Sequence, residues 1–364
     1  MAENGKYIYG ILNSNTDLRL AIPKAFLSDG GESPTAAYTI PHQDLSALVR
    51  DSNGAGSLPR SKEILARLLI GHQAVIEKIM AHGATVIPMK LGTYAQDENE
   101  VKDILHHGYP LMKEIMEKIA DKIEIDVVAT WSRFDAAVKD AGEEKEIREF
   151  KESLLSRPQG ATVEDRIKIG LMIKKALDEK RAGVSRDLLE RLQAVSEDAR
   201  IHELMDDRMV INAAFLIMRA KHKDFEEKVE EINKSMQEKL NFRCVGPLPP
   251  YSYYTLEAKK FHFEEIERAR KKLGLLHERA TRDEIKKAHR AMAFSSHPDR
   301  NPDAPGQENE FDEITQAYHM LWEYCRKDFC SFEEAEFNKN SLSIKVLGSP
   351  SGTMDGIHMD KTRD

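Results

Sequence analysis

Cysteine is scarce: the 364 residues contain three, Cys244, Cys325 and Cys330. None forms a CxxC pair or a metal-ligand spacing, so a structural zinc site and a disulfide framework are both excluded, and the three read as reduced, isolated thiols. Long apolar runs are also missing. The most apolar internal stretch, "MVINAAFLIM", is too short to span a bilayer, and the start, "MAENGKYIYG", has no charged region followed by an apolar core. The chain is therefore expected to stay in the cytosol, off the membrane. Basic charge is not in excess either. With 54 Lys+Arg against 62 Asp+Glu the net charge is −8, which gives no general attraction to nucleic acid or anionic lipid.

Enzyme signatures are absent as well. "HELMD" has His202 and Glu203 but Asp206 where a zinc-protease helix needs a second histidine. "NGAGSLP", around Gly54 and Gly56, lacks the third glycine of a dinucleotide loop. His106 and His107 are helix neighbours whose side chains diverge by about 100°, which makes no bidentate pair. No catalytic residue, metal or cofactor is expected.

What is present is a charged, helix-rich, soluble composition, 41% hydrophobic and 32% charged, long enough for two or three domains. "KYIYGIL" and "AAYTIP" read as strands, "SKEILARLLIGHQAVIEKIM" as a helix apolar on more than one side, and "TVIPMKLGTY" as a strand interrupted by Pro88. A helix over 98–120 and the strand "KIEIDVVATW" follow. This β-β-α-β-α-β order predicts a small sheet with helices on one face, an N-terminal α+β domain over 1–131. Residues 132–255 read as a charged helical segment followed by a second α+β unit. Thr162 and Asp165 form a capping box there, Gly183 divides two helices, and "MVINAAFLIM" and "NFRCVGP" are strands around the helix of "KDFEEKVEEINKSMQEKL". The proline cluster "GPLPPYSYY" closes this unit, since proline cannot supply a ladder of backbone donors. Lys90 and Thr93 in "VIPMKLGT" could touch a ligand, but a strand end turned by Gly92 accounts for them.

Beyond it, "FEEIERARKKLGL", "TRDEIKKAHRAMAF" and "NEFDEITQAYHMLWEYC" are three helix patterns. Thr281 and Glu284 box the start of the second. Ile285, Ala288 and Met292 face Phe311, Ile314, Tyr318, Leu321 and Trp322, which predicts an antiparallel helical hairpin over 261–327. The hairpin is interrupted by "HPDRNP". Pro298 excludes the α conformation at His297, so the helix must stop and the imidazole and the Asp299 carboxylate stand on a loop. Residues 331–364 show no sustained period and gain Gly, Ser and Asp, and are expected to be mostly disordered. The fold class is therefore α+β: two small units with antiparallel or mixed sheets, then an all-α hairpin.

Two resemblances add function to this reading. Over about 261–326, "LGL", "EIKKAHRAMAFSSHPDRNP" and "FDEITQAYHML" resemble the J domain of DnaJ-type co-chaperones in order and spacing. The resemblance implies contact with a DnaK-type chaperone through His297, Pro298 and Asp299 and the basic residues Lys286, Lys287 and Arg290. The basic face is thinner than the family's, with Ala291, Ser295 and Ser296 after Arg290, and "ARKKLGLL" lacks the family's tyrosine pair, which implies a weaker or more selective contact. Over about 6–256, "YIYGI", "VIPMKLGT", "MVINAAFLIMR" and "GPLPPYSYY" resemble, in order, the motifs of the GvpL/GvpF family of gas vesicle proteins. That resemblance implies a cytoplasmic accessory of gas vesicle assembly, working with the small apolar shell protein and other accessory proteins. The alternatives are a general DnaJ-type co-chaperone with its own client domain, against which stand the missing Gly/Phe-rich linker and zinc module, and a structural vesicle component whose J-like unit is an inert spacer.

Overall fold

The computed structural model of the chain describes residues 5–22, 35–52, 61–157, 161–237, 239–295, 307–326 and 328–348. The chain opens with four strands, β1 (Gly5–Leu12), β2 (Arg19–Ile22), β3 (Thr35–His42) and β4 (Leu45–Ser52), then helix α1 (Lys62–Ala81) and the short strands β5 (Val86–Pro88) and β6 (Tyr94–Ala95). They form one antiparallel sheet in the order β2-β3-β4-β1-β5, with β6 on the same edge of β1 as β5. Gly10 permits the close approach of β5, because a Cβ there would stand 2.7 Å from Val86 Cγ1 and 2.9 Å from the Ile87 carbonyl oxygen.

The period-2 side chains of β1 divide between two cores. Tyr7, Tyr9 and Leu12 pack toward α1, whereas Ile8 and Ile11 pack toward α2 (Glu98–Ile119). Helices thus cover both faces of the sheet, where one was expected. The helix α1 buries only one side; Leu69 and Ile70 are 52% and 57% exposed, so it is not surrounded as its apolar count suggested.

The strand β7 (Lys122–Trp131) leaves this sheet, contrary to the expected order. It lies in a second antiparallel sheet, β10-β7-β9-β8, with β8 (Asp198–Ile201), β9 (Met209–Met218) and β10 (Leu240–Leu248). The reason is partner choice: β9 and β10 come later in the chain, and pairing with them turns Ile123, Ile125, Val127 and Ala129 into the larger core. Between β7 and β8 run α3 (Phe134–Gly142), α4 (Lys145–Leu155) and α5 (Val163–Gln193); α6 (His222–Ser235) joins β9 to β10. The Thr162–Asp165 capping box is present, Asp165 N–H donating to Thr162 Oγ1 (3.1 Å) and Thr162 N–H to the Asp165 carboxylate (3.0 Å). However, α5 runs unbroken for 31 residues through Gly183. One glycine costs a helix about 1 kcal/mol, too little to stop one held by buried Leu177, Leu188 and Leu192.

After β10, the single turn α7 (Tyr251–Tyr254) leads into β11 (Thr255–Lys260). Then come α8 (Phe263–Lys272), β12 (Arg279–Thr281), α9 (Arg282–Ser295), α10 (Gln307–Tyr324), β13 (Phe329–Ser331), α11 (Glu334–Asn340) and β14 (Leu342–Leu347). The strand β14 pairs antiparallel with β11 along its whole length, from Thr255↔Leu347 to Lys260↔Leu342. This corrects the expectation for the C-terminal segment: 328–348 is structured, and 349–364 lies outside the described residues. In "LSIKVL" the alternation of Leu342, Ile344 and Val346 is one strand long, and those side chains pack against the core under α2. A six-residue strand leaves little mark in composition, and its burial depends on a partner more than 80 residues earlier.

Candidate functional site

The helical unit is carried between the two strands of the β11–β14 ribbon, so the chain leaves the N-terminal α+β body at Lys260 and returns to it at Leu342. The base of the ribbon is fixed to the body. Lys90 N–H donates to the Leu256 carbonyl (2.7 Å), and Met89 and Leu256 form a parallel bridge. Thr93 Oγ1 donates to the Lys90 carbonyl (2.7 Å), and Gly92 turns the loop at φ 82°. Lys90 and Thr93 therefore serve the docking of the ribbon. Glu257 lies between the ammonium groups of Lys90 and Lys345, the latter at 2.6 Å. Burial acts to raise its carboxyl, but the two lysines outweigh that and hold it below the usual range. At the other end, Lys259 pairs with Glu323 of α10 (2.5 Å), and the Arg326 guanidinium donates to the Leu342 carbonyl (2.6 Å).

Within the unit, α9 is anchored at both ends of its buried face. Thr281 N–H donates to the Glu284 carboxylate (2.7 Å) and Glu284 N–H to Thr281 Oγ1 (3.2 Å), completing the expected capping box. Arg282 Nε donates to the Cys325 carbonyl (2.8 Å), and its guanidinium lies over the Trp322 ring at 4.3 Å. Two turns further along α9, the His289 ring stacks on Tyr318 with centroids 4.2 Å apart. The pairs 282 with 322–325 and 289 with 318 run in opposite directions, which is the antiparallel hairpin. Ile285, Ile314 and Leu321 are fully buried at its centre, and Ala288, Met292 and Tyr318 pack beside them. The helix α8 closes the third side, Lys272 pairing with Glu313 at 2.6 Å.

Lys286, Lys287 and Arg290 occupy the opposite face of α9 and are exposed. Their spacing of four and three residues places them on one surface, and none makes an ion pair with another described residue. Glu284, one turn before Lys287, is held by Thr281 in its cap and is correspondingly acidified. The patch is thus a compact cationic surface on a well-anchored helix, suited to an acidic partner surface. Ala291 and Phe294 beside it are exposed, the latter at 61%, which gives it an apolar border. His297, Pro298 and Asp299 lie outside the described residues.

Two further polar clusters lie in the α+β body. Tyr7 OH and His72 Nδ1 are 2.6 Å apart in the core, and burial pushes the His72 pKa down to about 4. On β7, burial pushes Glu124 up to about 8, against the opposing hydrogen bonds of Ser252, whose N–H (2.9 Å) and Oγ (2.8 Å) both donate to it. Asp126 beside it is raised by burial too, and His202 partly offsets this. His202 Nε2 also lies 3.2 Å from Ser252 Oγ. This superficially has the members of a nucleophilic triad. Yet the carboxylate accepts from the serine rather than orienting the imidazole, so it caps α7 and does not activate Ser252. Tyr253 of α7 covers the neighbouring sheet: it is buried on Ala214 and Leu216, its OH donating to the Ala214 carbonyl (2.8 Å). No cluster of three or more potential metal-ligating side chains occurs among the described residues, around His202 and Glu203 included.

The ribbon and the contiguity of Cys325 with Cys330 escaped the sequence reading. Both cysteine thiols point at the Ala280 carbonyl, at 3.9 and 3.6 Å, because β12 pairs with β13 and brings Cys330 opposite Ala280; they are not isolated. The separation of only five positions was the available signal.

Known proteins share these features. The family model for gas vesicle synthesis proteins GvpL/GvpF matches residues 5–255, and the DnaJ domain model matches 271–328. Gas vesicle protein F2 of Halobacterium salinarum is 24% identical over 255 residues, covering 70% of this chain and 93% of that protein. Gas vesicle protein F of a Streptomyces species is 26% identical over 247 residues, 68% of this chain and 98% of that protein. A chaperone protein DnaJ of Herminiimonas arsenicoxydans is 49% identical over 49 residues, 14% of this chain and 13% of that one. The crystal structure of GvpF from Anabaena sp. superposes with a TM-score of 0.58 at 22% identity, covering 68% of this chain and 97% of that one. With an α+β body matched from its first strand to its closing tyrosines, and a helical hairpin matched separately, the chain belongs to the GvpL/GvpF family of gas vesicle proteins and carries a DnaJ domain.

Proposed function

We propose that this protein is an accessory factor of gas vesicle assembly, which binds the small apolar shell protein through its α+β body and recruits a DnaK-type chaperone through its J domain. It works by binding, without covalent chemistry of its own, in the cytoplasm at the growing vesicle. Neither a nucleic acid nor a membrane is part of this reading, and among the described residues no helix is long and apolar enough to cross a membrane. The observation that carries the proposal is the exposed cationic face of α9, Lys286, Lys287 and Arg290, on a unit held to the α+β body by both strands of the ribbon. A short double connection keeps the two binding sites at roughly millimolar mutual concentration, so a client held by one is presented to the partner of the other. His297, Pro298 and Asp299 complete the chaperone contact in this reading.

The test measures ATP turnover of a DnaK-type chaperone with the full-length protein, alongside co-purification of shell protein and vesicle yield in cells. His297→Gln and Asp299→Asn should each lower the apparent affinity for the chaperone roughly ten- to a hundredfold, the loss of one charge-assisted contact of ~1.5–3 kcal/mol, while the melting temperature stays in place. Unchanged turnover and yield would instead favour the spacer reading, for which the exposed Ala291 next to Arg290 is the supporting feature. Retention of unrelated clients but not of shell protein would favour the general co-chaperone.

A further inference from the structure

The two buried cysteines of the chain, Cys325 in the J domain and Cys330 in the strand that follows it, sit against one core. Cys325 follows the last turn of α10 and is fully buried; Cys330 is the central residue of β13 and 8% exposed. Both thiols donate to one acceptor, the Ala280 carbonyl, at 3.9 and 3.6 Å. Only four residues separate them, and the β12–β13 pairing that puts Cys330 opposite Ala280 fixes their approach. The third cysteine, Cys244, is exposed on β10 in the other part of the molecule.

We propose that Cys325 and Cys330 form a reversible redox site, closing to an intramolecular disulfide under peroxide and reopening under a thiol reductant. The surroundings favour it. The Cys330 side chain holds the Cys325 thiol below its ordinary range, and the Arg282 cation adds to this, so Cys325 supplies the thiolate that attacks an oxidant. A cavity of about 300 Å³, bounded in part by Arg282, Trp322 and Arg326, flanks that end of α10, one residue from Cys325 on the chain.

The chemistry balances. The Cys325 thiolate attacks one peroxide oxygen, the O–O bond breaks, and a protonated hydroxide leaves as water, which makes a sulfenic acid. The Cys330 thiol then attacks that sulfur and loses its proton, and the hydroxyl departs as a second water. In sum, two thiols and one peroxide give one disulfide and two waters.

The site has a structural output. Ala280 precedes Thr281, the capping residue of α9, and Arg282 links α9 to the Cys325 carbonyl. Closing the bond removes both S–H donors from the Ala280 carbonyl and ties β13 to the end of α10, so oxidation acts on the start of the helix that carries Lys286, Lys287 and Arg290. The proposal stands whether or not a chaperone binds that face.

The experiment treats the full-length protein, bearing Cys244→Ser, with equimolar hydrogen peroxide and measures intact mass, peptide cross-links and melting temperature. The expected result is a loss of 2 Da, a Cys325–Cys330 linked peptide, a shift in melting temperature, and reversal of all three by dithiothreitol, with no 2 Da loss in Cys325→Ser or Cys330→Ser. Unchanged mass, or addition of oxygen at either sulfur without a link, overturns the proposal. Since the serine variants can lose stability by themselves, the linked peptide in the otherwise intact Cys244→Ser protein is the deciding measurement.

Discussion

Ile344 of β14 rests against Gly108 of α2: a Cβ on that glycine would stand 2.9 Å from Ile344 Cδ1 and 2.7 Å from Met112 Cε. The contact joins a strand that follows the J domain to a helix near the start of the chain. It makes the J domain an insertion in a ribbon, held at both ends, rather than a trailing appendage.

The first prediction follows from that contact. Gly108→Val overpacks the junction and should destabilise the protein by ~1–3 kcal/mol, although valine has the higher helix propensity. Deleting the chain from Ser341 onward uncovers Leu256 and the apolar side of α2 and should cost more. Thermal melting checks both, and a truncated protein as stable as the full chain would refute the role of the ribbon.

Glu124 sets a prediction for the alkaline side. Its pKa is about 8 in the fold against 4.5 without perturbation, so the native state favours the protonated form. The stability it contributes is full below about pH 4.5, shrinks as pH rises, and is gone above about pH 8, where both states are ionised. Glu124→Gln keeps an acceptor for Ser252 and cannot ionise. Its melting temperature should change less than that of wild type between pH 6 and pH 8.5; equal slopes would show that Glu124 is ionised at neutral pH.

His72 sets the opposite prediction for acid. The buried imidazole titrates near 4 in the fold and at 6.5 unperturbed, so its contribution is full above about pH 6.5 and lost as pH falls toward 4. His72→Gln retains a partner for Tyr7 OH and should flatten this limb of the melting curve. A wild-type acid limb that persists in the variant would assign it to other groups.

A fourth prediction concerns the capping residue of α9. Thr281→Ala removes the bond to Glu284 N–H and should cost the J domain about 1 kcal/mol. Hydrogen exchange should rise in the first turn of α9 ahead of the rest of the helix. Uniform exchange along α9 would mean that Arg282 on Trp322, and not the cap, holds the end in place.

A fifth separates charge from structure. Lys286→Glu, Lys287→Glu and Arg290→Glu combined should leave melting nearly unchanged, because all three side chains are exposed and unpaired among the described residues. Chaperone stimulation should fall strongly at ~50 mM salt, and the difference from wild type should shrink as salt rises and the Debye length shortens. Stimulation that is insensitive to both changes would remove this face from the interface.

Local chemistry was legible in the chain wherever a structural cause lies within a few residues. The capping boxes at Thr162 and Thr281, the strand of "MVINAAFLIM" and the facing stripes of α9 and α10 all arise from short-range hydrogen bonding and periodic burial. Both family resemblances rest on such local motifs. Tertiary structure alone decided the rest. It assigned β7 to the second sheet because its partners lie far along the chain, and it carried α5 through Gly183 because side-chain packing outweighs one glycine. It also joined Cys325 to Cys330 over one carbonyl and returned "LSIKVL" to β11. Each of these turns on which distant surfaces meet, and a strand or a thiol carries no record of its partner in its own residues.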